Sequence, residues 1–208
     1  MEKEFRERNK ELSKARLLTA VGKVLKEEGF QQVKVNRIAK EADLDKKLIY
    51  RYFGNFENLV DEYLNSQNYW NILKDESFLE SFKSDSIALN KIVLKNQFDF
   101  VSENEEFQKI LLWQLIEEKS SLRALRDNQE EIGEVMFKTM FDDKFGDNAK
   151  LFRTANAILI SGLYYINLYK NFNGSVFNGI GVRTEEGEAL IKDAIDLLIN
   201  GLYNQLEK

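Results

Sequence analysis

Gly29-Phe30-Gln31-Gln32-Val33-Lys34-Val35-Asn36-Arg37-Ile38-Ala39-Lys40-Glu41-Ala42-Asp43-Leu44-Asp45-Lys46-Lys47-Leu48-Ile49-Tyr50-Arg51-Tyr52-Phe53 is the stretch that decides the fold. It reads as two short helices, Asn36–Ala42 and Asp45–Phe53, joined by a tight turn at Ala42-Asp43-Leu44-Asp45. Ile38 and Ala39 in the first helix, Leu44 in the turn, and Ile49 and Phe53 in the second have the spacing to close one small core. Ala39 and Ala42 are small enough to let the two helices cross closely, and Asp45 offers a side-chain oxygen to cap the second. Packing has no use for the rest of that helix, which carries Lys46, Lys47, Tyr50, Arg51 and Tyr52. A DNA major groove accepts one α-helix, and its phosphate rims take Lys, Arg and Tyr side chains. The segment therefore implies a helix-turn-helix whose second helix reads DNA. Tyr50 also admits a second reading, as a partly buried core aromatic with a hydroxyl to spare.

Outward from this motif, nearly every segment reads as helix. Leu17, Leu18, Val21, Val24 and Leu25 form one apolar stripe, which Gly29 should stop, with Phe30 tucking under. Phe56, Leu59, Val60, Tyr63 and Leu64 open an amphipathic helix expected to run to about residue 73. Further helices are expected at 85–102, 105–119, 128–141 and from a cap at Asp147 to residue 172. Residues 173–183, with three glycines, read as a loop, and Thr184 should cap a last helix. No strand-like alternation of useful length occurs, so the class is all-α, with no internal repeat.

Composition bounds the function. The chain has 208 residues, no Cys, no His and no Pro. Without His or Cys, ordinary zinc sites and Ser-His or Cys-His catalysis are excluded, so neither a metal, a cofactor nor an enzymatic activity is expected. A helical di-iron site would need Glu-x-x-His pairs. The carboxylate pairs Glu117-Glu118 and Glu130-Glu131 are adjacent in sequence and diverge on a helix. The opening Met1-Glu2-Lys3-Glu4-Phe5-Arg6 is too charged for a secretory signal, and no apolar run is long enough to span a bilayer, so a cytoplasmic protein is expected. Net charge is −5, but residues 1–53 hold 14 Lys/Arg against 9 Asp/Glu, and residues 54–208 hold 16 against 26. A basic end on an acidic body is the asymmetry expected when only that end meets phosphate.

At these residues the chain resembles the tetracycline-repressor (TetR) family of bacterial regulators. The resemblance covers roughly residues 13–64 and rests on Leu17 to Leu25, Gly29-Phe30, Ile38-Ala39, Ile49-Tyr50-Arg51-Tyr52-Phe53 and Glu57-Asn58-Leu59. It departs from the family pattern at Asp43, where Gly is usual, so that either Asp43 takes a left-handed backbone or the turn differs slightly, and at Leu48, which lacks a phosphate-binding hydroxyl. Lys34 replaces a usual Thr, and Phe56 a usual Lys. The resemblance implies a three-helix DNA-binding domain over residues 1–55 and a larger helical effector-binding and dimerisation domain over 56–208. Lys34, Asn36, Tyr50 and Tyr52 become candidates for phosphate-backbone contacts, and Lys46, Lys47 and Arg51 for base edges.

The last two long helices carry more apolar residues than one buried stripe needs. Leu151, Ala155, Ile158, Leu159, Gly162, Leu163 and Ile166 make one stripe; Leu190, Ile191, Ala194, Ile195, Leu198 and Leu202 make another. The resemblance implies that these helices pair with their symmetry mates. The expected interface is Ala155, Ile158, Leu159, Gly162, Ile166, Ile191, Ile195, Leu198 and Leu202. A two-fold homodimer would set two reading helices about 34 Å apart and favour a palindromic double-stranded DNA operator. Of the many rings between, Tyr63, Trp70, Phe98, Phe107, Trp113, Phe137 and Tyr165 are the expected lining of a pocket for an apolar or amphipathic effector. The functional expectation is a repressor released from its operator by that effector. Its rival is a ligand- or protein-binding subunit of the same fold that has lost DNA binding.

Overall fold

The computed structural model describes residues 2–207, with side chains from residue 7 onward; the charged opening at 1–6 lies outside the described side chains. Among the described residues the helices are α1 (Glu2–Glu28), α2 (Val35–Glu41), α3 (Lys47–Phe53), α4 (Phe56–Ser66), α5 (Glu76–Glu80) and α6 (Ser86–Glu103), followed by α7 (Glu105–Ile116), α8 (Ser120–Met140), α9 (Asp142–Phe145), α10 (Ala149–Phe172) and α11 (Glu185–Leu206). The fold is all-α, as expected.

Local chemistry sets the ends. Gly29 takes φ +83°, a conformation that L side chains resist, and its N–H closes α1 on the Leu25 carbonyl at 3.1 Å. Asn55 caps α4 by accepting from the Asn58 N–H at 2.7 Å. Asp85 caps α6 through Ala88 at 2.9 Å, and Thr184 caps α11 through Gly187 at 3.0 Å.

Several expected boundaries are corrected. Helix α4 ends at Ser66 rather than near residue 73, and a 3-10 stretch, Tyr69–Lys74, follows. Asn65, Ser66 and Asn68 bring side chains that compete for the backbone, and the Ser66 hydroxyl indeed donates to the Tyr63 carbonyl at 2.6 Å. Helix α8 begins at Ser120, not at 128, because Leu122 and Leu125 already have a core to enter. Asn148, not Asp147, stands at the cap of α10. The expected loop contains a two-residue antiparallel pair, β1 (Val176–Phe177) and β2 (Ile180–Gly181). Its Asn178-Gly179 turn has φ +49° and +80°, the positive angles a tight hairpin requires.

The chain forms two compact units, and their grouping departs from a division after residue 55. The first unit holds the chain through Asn68 together with residues 105–129. Its core is built by Leu17, Val21 and Leu25 of α1, Ile38 of α2, Ile49 and Phe53 of α3, Leu59 and Val60 of α4, and Ile110 and Trp113 of α7. The buried face of α4 is used up by α1, and so α4 groups with the head. The second unit holds Tyr69–Asn104 and the chain from Glu130 onward. Its core is aromatic: Phe145 and Phe152 stack at 3.9 Å, with Phe141 and Tyr203 against them.

Candidate nucleic-acid interface

Helices α2 and α3 are seven residues each and could not persist alone. They are held by burying Ile38 and Ala39 from one and Ile49 and Phe53 from the other. Asp43 sits in the turn with φ +50°, the left-handed one of the two alternatives open to it. The Leu44 N–H then reaches the Ala39 carbonyl at 3.0 Å, closing the end of α2. Arg16 of α1 donates from Nη2 to the Ala42 carbonyl at 2.6 Å and so satisfies an orphan acceptor at that helix end with a cation. Asp45 Oδ1 accepts from the Lys47 N–H at 2.8 Å and opens α3, the capping role expected of it.

With Ile49 and Phe53 committed inward, the 3.6-residue period turns Lys47, Tyr50 and Arg51 outward. Lys46, Lys47 and Arg51 are exposed, and Tyr50 is 51% exposed, so the core reading of Tyr50 is not the one the structure takes. Tyr52 is half-buried, with the Arg51 guanidinium 5.9 Å from its ring centre. Lys34 and Asn36 are exposed at the start of α2, and Lys46 Nζ lies 3.5 Å from Asn36 Oδ1. All seven residues expected to meet DNA thus stand on one helix-turn-helix.

The charges around this surface divide into spent and unspent. Arg37 binds Glu28 and, at 2.7 Å, Glu41, which also holds Lys23 at 2.5 Å. The Arg37 guanidinium keeps the Glu28 carboxyl below the usual carboxylate range; Lys23 and then Arg37 do the same for Glu41. Among the described residues no carboxylate pairs with Lys34, Lys46, Lys47 or Arg51.

Behind the motif, Gly22 lets α7 approach α1: a Cβ there would stand 2.5 Å from Glu106 Oε2. That carboxylate accepts from the Tyr63 hydroxyl at 2.6 Å. Burial, and then Glu106, push the Tyr63 phenol well above its ordinary pKa, so it remains a donor. Arg16 and the Gly22–Glu106–Tyr63 contact carry no sequence signal, since each depends on a partner brought close only by folding, whereas the local cap at Asn55 is open to the N-cap pattern.

The residues expected at an effector pocket are divided between the two units. Tyr63, Phe107 and Trp113 lie in the core of the first unit, Trp70 and Phe98 in that of the second, and Phe137 packs against the latter. Tyr165 is corrected: it is exposed, stacked on Tyr169 and edge-on to Phe177. A cleft of about 260 Å³ in the first unit runs from Val33 and Phe56 to Ser120 and Ser121, and of the seven only Trp113 lines it.

Of the residues expected at a dimer interface, Ile158, Gly162 and Leu198 are exposed, while Ala155, Leu159, Ile166, Ile191 and Leu202 are half-buried. Ile195 is corrected: at 2% exposure it belongs to the core of its own chain. Leu197, 72% exposed, is a residue that sequence reasoning missed; it shares a helical face with Leu190 and Ala194.

Residues 17–63 match the family model for bacterial regulatory proteins of the tetR family. Over this head the chain is similar to the tetR family of bacterial regulatory proteins. The TetR head is a DNA-binding domain. The whole chain is similar in fold to a Clostridium perfringens putative fatty acid metabolism regulator, at 21% identity and TM-score 0.63 over 89% of this chain and 97% of that one. It is similar to the fatty acid degradation regulator FadR of Bacillus halodurans at 19% identity and TM-score 0.62, covering 90% and 98%. NalD of Pseudomonas aeruginosa, the secondary repressor of a multidrug efflux pump, matches at 17% identity and TM-score 0.60, covering 96% and 98%. No curated protein sequence matches the chain. Among the described residues no helix is long and apolar enough to cross a membrane.

Proposed function

We propose that this protein is a non-enzymatic, ligand-responsive transcriptional repressor of the TetR family that works in the cytoplasm as a homodimer on a palindromic operator. The observation that carries the reading is the row of cations on the helix-turn-helix, Lys34, Lys46, Lys47 and Arg51, which have no carboxylate partner among the described residues, while neighbouring Lys23 and Arg37 are neutralised. Residues 1–55 meet DNA, with Lys34, Asn36, Tyr50 and Tyr52 on phosphates and Lys46, Lys47 and Arg51 on base edges. Residues 56–208 supply the dimer and the effector site.

The dimer face is the exposed apolar side of α10 and α11: Leu151, Ile158 and Tyr165 with Leu190, Leu197 and Leu198. Gly162 and Gly201 are consistent with it, because a Cβ at either would meet nothing in the chain, and Gly in a helix interior costs about 1 kcal/mol relative to Ala. Close approach by a second copy gives these glycines a use. Effector binding then favours a spacing of the two heads that no longer fits successive major grooves. The fold neighbours that respond to fatty acid metabolism or govern drug efflux support a small apolar or amphipathic effector.

The test is a fluorescence-anisotropy titration against the DNA upstream of the protein's own coding sequence, at two salt concentrations, with scrambled competitor. Binding that survives the competitor and weakens steeply with salt is the expected result. Binding no tighter than to scrambled DNA, there and at other promoters, would overturn the reading in favour of a ligand- or protein-binding subunit.

A further inference from the structure

Buried amides in protein cores are almost always hydrogen-bonded, because an unpaired one forfeits its hydration for nothing. The second unit departs from this rule along α6. Gln97 of α6 is 0% exposed, yet neither its Nε2 nor its Oε1 has a partner. Asn90, seven residues earlier, is buried with Nδ2 unpaired. Seven residues are nearly two full turns, so the two amides share one face of α6 about 10 Å apart along its axis. The pairs Lys95–Asp196 and Lys192–Asp99, both at 2.7 Å, place residues 95 and 99 on another flank of α6. Asn167 of α10 joins the same stretch. Its Nδ2 donates to the Phe98 carbonyl at 3.0 Å, which fixes the orientation of the amide and leaves Oδ1 as a buried, unmet acceptor.

The unmet groups of these three residues count out evenly. Two are donors, Asn90 Nδ2 and Gln97 Nε2, and two are acceptors, Gln97 Oε1 and Asn167 Oδ1. An anion can satisfy the donors but has no hydrogen for the acceptors. The buried cation nearby is already taken: Lys170, 3% exposed, lies over the Phe98 ring at 5.1 Å and is bound to Glu188 at 2.5 Å. Around the amides α6 carries the buried Val93, Leu94 and Val101, so the surroundings are apolar.

We infer that the second unit recognises an uncharged amphipathic molecule through Gln97 and Asn167, which hydrogen-bond a carboxamide or hydroxyl group able both to donate and to accept; Asn90, about 10 Å along α6, is left to donate to a second polar atom of that molecule. This rests on the proposed ligand response and narrows it: the effector differs in charge from the stearoyl-CoA bound by the Bacillus subtilis FadR, a fold neighbour at 19% identity.

The test uses the full-length protein and four probes with the same twelve-carbon chain: dodecanamide, dodecanol, dodecanoate and dodecylammonium. Calorimetry and thermal shift should show the two neutral probes binding about tenfold or more tighter than either ion, the discrimination expected of one or two buried hydrogen bonds. Gln97→Met, nearly isosteric, should erase that preference while leaving the ligand-free melting temperature equal or higher, because it removes an unpaired buried amide. Gln97→Leu is the second variant, should the first not fold, and should lower neutral-probe affinity in the same direction. Equal or tighter binding of dodecanoate, failure of both neutral probes to bind, or a preference that survives Gln97→Met would overturn the inference; the last would mean that buried water satisfies the amide. Operator titrations run in parallel separate the two failures. DNA released by an anionic compound leaves the repressor reading standing and removes this one.

Discussion

Two surfaces of this molecule are left unfinished by its own fold, and they are unfinished in opposite ways. The outward face of α3 is short and polar, held by two buried residues, and shows Lys47, Tyr50 and Arg51. The outward faces of α10 and α11 are long and apolar and show Ile158, 68% exposed, and Leu197, 72% exposed. Exposure alone is therefore uninformative; the chemistry exposed names what must cover it. Cations without internal carboxylates require an external anion, whereas an apolar face requires another apolar face. Lys170 makes the contrast within one residue type, since its charge is spent internally on Glu188 and it points to no partner.

The largest expected effect comes from breaking the apolar face. Ile158→Glu and Leu197→Glu alter residues that contribute almost nothing to the core of their own chain, so each variant should fold. Light scattering should show a monomer in place of a dimer. Operator affinity should fall by about 100-fold or more, because two heads no longer bind as one. A monomeric variant that keeps its operator affinity would dissolve the proposed link between the two surfaces.

Next come the cations of α3. Arg51→Ala and Lys47→Ala should each cost about 1–3 kcal/mol of operator binding and relax preference at one base pair per half-site. Lys34→Ala should weaken all sequences alike and lower the salt slope by about one per half-site, as a phosphate contact does. Arg37→Ala, whose charge is already neutralised by Glu28 and Glu41, should do little to the salt slope. If Arg37 mattered as much as Arg51, the division into spent and unspent cations would fail.

The α3 face is legible in the sequence and the apolar faces less so, for a physical reason. The helix-turn-helix is local: Ile38, Ala39, Ile49 and Phe53 meet across a four-residue turn, so periodicity alone assigns inside and outside there. On α10 and α11 both flanks are apolar, and a stripe does not say which flank its own chain covers. Periodicity therefore turns Ile195 outward although it is core, and it passes over Leu197. The aromatic residues fail for the same reason, since a ring reads alike whether it fills a core or faces a ligand. Gln97 reads as an ordinary polar residue until folding buries it. Boundaries move where side chains compete with the backbone, as at Ser66.

A smaller effect tests how the head is braced by α7. Gly22→Ala adds a Cβ where Glu106 now stands and would push that carboxylate off the Tyr63 hydroxyl. The lost hydrogen bond, about 1–3 kcal/mol for a buried donor left unpaired, outweighs the gain of about 1 kcal/mol in helix propensity, so modest destabilisation is expected. In a Tyr63→Phe background there is no hydroxyl to orphan, and the same Gly22→Ala change should become neutral or stabilising. Thermal melts of the four proteins make the cycle, and additive effects would show that Glu106 does not connect the two positions.

The smallest expected effect is at Asp43, and it sharpens the distinction between what holds the α3 face and what the face does. Its φ of +50° is penalised by the Cβ that Asp carries and glycine lacks. The compensation in the turn is not side-chain chemistry: Arg16 reaches backbone oxygens of Ala42 and Asp43 at 2.6 and 3.3 Å, which a glycine would keep. The Asp43 carboxylate itself approaches Arg16 only at 3.5 Å and is 98% exposed, a pairing of negligible worth in water. Glycine loses more chain entropy on folding, which offsets part of the relief. The balance is a gain of about 0.5–1 kcal/mol for Asp43→Gly, read as a higher melting temperature. Operator affinity should stay within about twofold, because the backbone conformation a glycine would adopt at this position is the one Asp43 already holds. A loss of binding without a loss of stability would mean that Asp43 shapes the DNA-facing surface directly, and the separation between turn and reading helix would have to be abandoned.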